Sequence, residues 1–372
     1  MAGRDGLLLL GLRRIERFAR ATDFAGLAPV ACDSSAYAFI RNPTGRSSLT
    51  QNRSEVRKVR VSSNEDGQRI DNFLLKQLPG VPKSHVYRLL RSGQVRVDGG
   101  RIKAERKLVE GEEVRIPPVR MEAPGETRRP PDAMTQRLRE AIIHEDANYL
   151  AVSKPAGLAS HAGSGVDFGV IEVARAWGTL GWVELVHRLD RDTSGVLLLA
   201  KNREALLRAQ RAMKNGTTIK KYFALLVGRW KGEDRDVNAA LLREAVSAGE
   251  RMVRLADDDE DGKPSHSRFS PRQRFRDATL MEVQIFSGRT HQIRVHAAAL
   301  GCPVVGDDKY GEREVNKPFR ERGLKRMFLH SHLLQLPAEG DFEKLLVTAP
   351  LPDDLRDALN GLPAAMPTRK RR

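Results

Sequence analysis

The sequence predicts an α+β fold with a mixed or antiparallel sheet, preceded by a small α+β unit. Three observations carry that expectation. Strand-like apolar segments dominate the second half of the chain, and helices fall among them without the strict alternation of a doubly wound sheet. Residues 196–200, Val-Leu-Leu-Leu-Ala, form a short apolar run with no polar alternation, as a strand covered on both faces does. Residues 67–117 combine two helical apolar patterns with a short ribbon. A length of 372 residues allows two or three domains and a large core.

Residues 1–66 carry an apolar run at Leu7, Leu8, Leu9 and Leu10, then Arg13, Arg14, Arg17 and Arg20. A secretory signal has its basic residues before the apolar region, so the order is wrong for one. The expectation is a poorly ordered basic extension, with an organelle transit peptide as the other reading. In residues 67–117, Ile70, Phe73, Leu74 and Leu78 recur at helical spacing, and Pro79-Gly80 ends the helix. Ser84 is read as the cap of a second helix, with Val86, Leu89 and Leu90 inward and Gly93 as its stop. Val95 and Val97 alternate with polar residues, Asp98-Gly99-Gly100 is a hairpin turn, and Val114-Arg115-Ile116 closes the ribbon. Lys83, Arg88, Arg91 and Arg96, with Arg101, Lys103, Arg106 and Lys107, crowd this unit. Such density on one helix-turn unit favours phosphate contact over a merely solvated face. The unit resembles the S4 RNA-binding module.

Residues 118–138 are Pro-rich and read as a linker, 139–360 as the large domain, and 361–372 as a basic tail. Within the large domain, strands are expected at 149–153, 196–200, 219–227, within 269–286, at 327–336 and at 345–347. Helices are expected at 203–213, 291–300 and 353–359. Net charge is +16 and the pI about 10.1, which predicts a polyanionic partner, either nucleic acid or an anionic membrane surface. No apolar run approaches the length of a membrane span. Cys32 and Cys302, far apart, imply neither a disulfide framework nor a zinc site and fit a reducing compartment, the cytoplasm.

Residues 187–192 place His187, Asp190 and Asp192 beside Arg188 and Arg191, immediately before the buried strand. Charges that dense beside a core strand are costly unless they pair with one another or with a ligand. Two readings fit this stretch equally: a catalytic Asp190 held ionised by arginine, or an ion-paired loop cap. The glycines offer no phosphate-cradling loop, and Leu189 with no later Asp-Phe-Gly excludes a kinase catalytic loop. His187, His291 and His296 lack a third ligand partner for zinc, and His187 is read as a structural hydrogen-bonder. The acidic tip at residues 257–262 is read as solvated. What remains is a carboxylate (Asp190), a strand tyrosine (Tyr222) and a helix arginine (Arg294). An ionised, shielded carboxylate can attack a sugar C1′, and a tyrosine offers a flat face and a phenol for proton handling.

Four spaced motifs then point to one family. They are Lys154-Pro155-x-Gly157, His187-Arg188-Leu189-Asp190-x-x-Thr193-Ser194-Gly195, Lys220-x-Tyr222, and the run from Gly288-Arg289-Thr290-His291-Gln292 to Ile293-Arg294-Val295-His296. With the front unit, residues 67–360 resemble the RluA-type pseudouridine synthases, and among them the branch acting on large-subunit ribosomal RNA. The resemblance implies isomerisation of uridine to pseudouridine in 23S ribosomal RNA without cofactor or metal. It puts the catalytic aspartate at Asp190, the tyrosine that stacks on uracil and assists proton removal at Tyr222, and the basic partner of the aspartate at Arg294. Arg188 falls on the arginine that fills the gap left by the flipped nucleotide, and Asp192 on no functional position. A single chain is the expected working unit. Two other readings are a non-catalytic RNA-binding or ribosome-assembly factor on the same scaffold, and hydrolysis of an N-glycosidic bond with release of free uracil.

Overall fold

The computed structural model describes residues 55–365 apart from 79, 120–128, 164–165, 246–250 and 258. Most of the expected N-terminal extension, the centre of the linker and residues 366–372 of the tail therefore lie outside the described residues.

The front unit begins earlier than expected. Strand β1 (Arg57–Arg60) pairs antiparallel with a later strand of the unit, although it falls inside the expected extension. Its signal, Val59 and Val61 packed into the small core, is masked by flanking Lys, Arg, Ser and Asn. Helix α1 (Ile70–Gln77) buries Ile70, Phe73 and Leu74, and α2 (Lys83–Arg91) buries Val86, Leu89 and Leu90 against them. Ser84 is not the cap of α2. Pro82 occupies that position with an extended backbone, because proline's fixed φ suits helix entry and its missing N–H costs nothing there. β2 (Arg96–Val97) and β3 (Glu113–Ile116) complete a sheet of order β1-β3-β2. The turn expected at Asp98-Gly99 is present, with left-handed φ of 45° and 78°.

The expected linker also shortens. Val119 belongs to the small core, and α3 (Asp132–Glu140) starts within the linker's span, with Pro131 as its entry residue. The large domain follows with β4 (Ile142–Glu145), β5 (Tyr149–Lys154), α4 (Val170–Ala176), β6 (Glu184–Leu185) and β7 (Ser194–Ala200). Next come α5 (Arg203–Lys214), β8 (Ile219–Val227), β9 (Arg235–Ala245), β10 (Arg251–Leu255), β11 (Lys263–Arg274) and β12 (Ala278–Ile285). The chain closes with α6 (Gln292–Ala299), α7 (Arg313–Glu321), β13 (Leu329–Leu336), β14 (Leu345–Thr348) and α8 (Asp353–Asn360). The eleven strands form one mixed sheet of order β10-β9-β11-β12-β8-β13-β7-β5-β4, with β14 on β13 and β6 on β7. Every pairing is antiparallel except β13 with β7.

The unbroken apolar run in β7 has a direct cause. Leu197 and Leu199 face a core shared with Val170 and Ala174 of α4, whereas Val196, Leu198 and Ala200 face Ala205, Ala209 and Ala212 of α5. Covered on both sides, the strand has no solvent face on which to place polar residues. The parallel pairing of β13 with β7 brings Ser331 opposite Gly195. Gly195 has φ +108°, and a Cβ there would lie 2.1 Å from the Ser331 carbonyl oxygen, so only glycine fits. That close approach sets the mouth of β7, from which the charged loop emerges.

Candidate active site

The loop at residues 187–193 is pinned by its own neighbours. His187 Nε2 accepts the Leu198 N–H at 3.1 Å, and burial with nearby Lys220 pushes the imidazole down to about 3. It is therefore neutral and structural, as its position in the loop suggests. Ser160 brackets Leu189, donating to its carbonyl at 2.8 Å and accepting its N–H at 3.0 Å. The Arg191 carbonyl accepts from the Gly157 N–H at 2.9 Å and from Lys154 Nζ at 3.0 Å. Lys154 is fully buried and also donates to the carbonyls of Pro155 and Leu158, so three acceptors meet the three donors of an ammonium. Burial pushes this lysine down to about 7, while Asp192 and Asp190 push the other way. Asp192 itself is exposed and lies 3.8 Å from Arg191. The loop thus holds Asp190 on a rigid mount, with its side chain 27% exposed.

Asp190 projects into a cavity of about 640 Å³ lined by Arg188, Lys220, Tyr222, His291 and Arg294 among others. Its Oδ2 lies 3.6 Å from Arg294 Nη1 and 3.9 Å from His291 Nε2. The predicted pairing of Asp190 with Arg294 is thus present, but it is not Arg294's main contact. Arg294 donates from Nε to Asp307 Oδ2 at 2.7 Å and from Nη2 to Oδ1 at 2.8 Å. Burial pushes the Asp307 carboxyl up, but the two bonds from Arg294 outweigh it and hold Asp307 below its ordinary value. Burial likewise lowers Arg294, and Asp307 more than restores it. The guanidinium is therefore fixed by a permanent partner and offers Asp190 only one long contact. The carboxylate feels a cation without being locked into a bidentate pair, which leaves its oxygens free to react.

The turn entering α6 explains the spelling of its motif. Gln292 accepts from Ser287 Oγ and the Arg289 N–H, and donates to the His266 carbonyl and Ser267 Oγ, so all its hydrogen-bonding groups are engaged. His291 precedes α6 with φ +55°, a left-handed conformation costly for a non-glycine residue. Its Nδ1 lies 2.7 Å from the Tyr310 hydroxyl, and burial lowers its pKa, so the ring beside Asp190 is neutral at pH 7.

Tyr222 and Lys220 share one face of β8, two residues apart, and both are buried. Burial raises the Tyr222 phenol well above its ordinary value, and its hydroxyl is hydrogen-bonded to Ser331. The phenol offers the cavity a flat wall and a hydrogen bond. Lys220 is pushed down to about 8 by burial alone. Arg188 is exposed at the rim of the cavity.

Lys83, Arg88 and Arg91 are exposed on α2 of the front unit. Arg96 is half-buried and braces its own turn, donating to the Gly93 carbonyl at 2.8 Å, so it is partly committed to structure. Sequence reasoning missed Asp307 and Tyr310, which lie on a turn thirteen and sixteen residues after Arg294. Their only signal is the frame Gly306-Asp307-x-x-Tyr310-Gly311. Its first glycine has φ +78°, and a Cβ there would come within 2.4 Å of the Arg326 carbonyl oxygen. At the acidic tip Glu260 is tied to Arg254, and among the described residues no group of three or more His, Cys, Asp or Glu is placed to hold a metal ion. Among them, too, no helix is long and apolar enough to cross a membrane.

Comparison with known proteins places this geometry. Residues 148–299 match the family described as RNA pseudouridylate synthase, and residues 68–114 match the S4 domain. The chain is 46% identical over 311 residues to the ribosomal large subunit pseudouridine synthase C of Escherichia coli O157:H7, covering 82% of this chain and 97% of that protein. It is 44% identical over 311 residues to the protein of the same name from Haemophilus influenzae (strain ATCC 51907 / DSM 11121 / KW20 / Rd), covering 83% and 96%. Among solved structures, human RNA Pseudouridylate Synthase Domain Containing 1 superposes with a TM-score of 0.51 at 27% identity, covering 62% of this chain and 91% of the human one.

Proposed function

The chain belongs to the RNA pseudouridylate synthase family and is an RNA pseudouridine synthase, and from that premise we propose that it acts on uridines of large-subunit ribosomal RNA with Asp190 as its nucleophile. The observation that carries the site assignment is the carboxylate of Asp190 at the cavity, beside a guanidinium whose stronger bonds go to Asp307. Asp190 attacks C1′ of a nucleotide that has left its stack, and the N1–C1′ bond breaks. The freed uracil turns against the flat wall of Tyr222. C5 then bonds C1′, Asp190 is released, C5 loses its proton and N1 gains one, so the reaction is an isomerisation with no other reactant. Flipping costs about a few kcal/mol. Arg188 at the rim fills the vacated stack, and Lys83, Arg88, Arg91 and Arg96 grip phosphates, which offsets that cost. A monomer is the proposed working unit, and an RNA substrate of this class supports action in the cytoplasm.

The test is incubation of unmodified large-subunit ribosomal RNA with the purified protein, followed by mapping of carbodiimide-stable adducts. New pseudouridines at discrete positions are expected. Free uracil in the mixture would indicate hydrolysis instead, and tight binding with no change in the RNA would favour a non-catalytic assembly role.

A further inference from the structure

A second cleft of about 260 Å³ opens beside the first and shares with it Arg188, Gly288, Arg289 and Thr290. Its far wall comes from β9 and β10. Leu241 and Val253 at its floor are buried and pack with Val295 of α6, so the cleft lies where the β9–β10 hairpin seats on the helix that carries Arg294. The Tyr310 hydroxyl, already bonded to His291, also accepts the Val253 N–H at 3.1 Å. The cleft is thus held in fixed relation to Asp190.

Its rim is cationic. Arg188, Arg243, Lys263 and Arg289 line it, against Asp261 as its one acid. Arg243 donates to the Thr290 hydroxyl and Arg289 to the Pro264 carbonyl, and none of the four cations has a carboxylate partner among the described residues. Nearby strands behave differently: Arg254 pairs with Glu244 and Glu260, Arg268 with Asp236, and Arg272 with Glu282. At this cleft two cations of the sheet, Arg243 and Lys263, and two of the flanking loops, Arg188 and Arg289, thus gather without a carboxylate partner. A cationic rim over an apolar floor suits a phosphate joined to a flat apolar ring.

We infer that this cleft receives the nucleotide next to the target uridine on the same strand, its base against the Leu241–Val253 floor and its phosphate against Arg243 and Lys263. The inference rests on the proposed function, since the shared wall of Arg188 and residues 288–290 is what a strand entering the main cavity must cross. It adds a second point of recognition. One nucleotide is isomerised, and its neighbour is held, so substrate choice depends on both.

The test uses a short RNA hairpin carrying a uridine that the protein converts, and versions with a single methylphosphonate at each flanking phosphate. Arg243 and Lys263 are exposed, so folding is not at stake in their replacement. Wild-type protein is expected to lose about tenfold in KM at one flanking phosphate. The Arg243→Ala/Lys263→Ala double variant is expected to show about the same loss on the unmodified hairpin and no further loss at that phosphate. Arg243→Lys, which keeps the charge, is expected to retain the wild-type profile. Additive losses, or a double variant indistinguishable from wild type on the unmodified hairpin, would overturn the assignment. No conversion by wild-type protein on any RNA would instead remove the function on which the cleft depends.

Discussion

Arg294 gives its two short hydrogen bonds to Asp307 and a single 3.6 Å contact to Asp190, and this division of one guanidinium governs the chemistry available to the site. Asp307→Asn removes the anchoring charge and leaves a buried arginine without its counter-ion. Loss of one partner of a buried pair typically costs about 3 kcal/mol of stability, so the melting temperature is expected to fall. Single-turnover conversion is expected to fall at least about tenfold with little change in RNA affinity, because phosphate contacts set affinity and this pair touches none. Asp307 is held below its ordinary value, so its pairing stabilises the fold above that value and the contribution is lost as pH falls through the lower folded one. The variant should accordingly lose part of the wild-type dependence of stability on pH below about 4. At this scale Asp190, Tyr222 and Arg294 were legible because each stands in a motif dense with chemistry-bearing residues. Asp307 was not: an Asp-Asp pair between glycines reads as a solvated turn, and only the fold brings its first carboxylate to the arginine.

The element that matters most is the loop from His187 to Thr193 with the strand it feeds. Ser160, Lys154 and Gly157 pin its backbone, and Gly195 lets β13 come within reach of its end. Gly195→Ala would place a methyl group against the Ser331 carbonyl at a φ that alanine rarely adopts. The expected outcome is destabilisation by more than about 1 kcal/mol and loss of activity, read by thermal melting alongside conversion. Helix α2 supplies a separate test. Replacing Lys83, Arg88 and Arg91 by Gln should weaken RNA binding and flatten its log–log salt dependence by about one unit per lost phosphate contact. An unchanged slope would make these residues a solvated face. Strand β7 was legible from sequence because cores on both faces leave it no polar positions. Helix α7 was not, since Pro318 lies within it and only Asn316 and Phe319 are buried. Strand β1 is weakly marked in the sequence, because Val59 and the following Val61 stand among basic residues.

Across the whole molecule, burial holds several histidines neutral. It pushes His187 down to about 3, and His296, His330 and His332 to about 4. Unfolding releases them to titrate near 6.5, so the unfolded chain binds more protons between about 4 and 6.5, and stability rises with pH across that window. Each contributes a slope of up to about 1.4 kcal/mol per pH unit. Melting temperature is therefore expected to fall as pH drops from 6.5 to 5, and a flat profile over that range would show these rings already accommodate a proton. The fold class was legible at this scale, as was the need for a polyanionic partner implied by a net charge of +16. The domain edges were less so, because β1 and α3 use Ser, Arg and Pro that in sequence read as linker.

The central claim is that Asp190 bonds the sugar. Asp190→Asn keeps the size of the side chain and removes its nucleophilic charge, so its single-turnover conversion of a mapped uridine is the most direct measurement. The expected result is RNA bound within about threefold of wild-type affinity and no pseudouridine formed. Conversion at a rate near wild type would contradict the account.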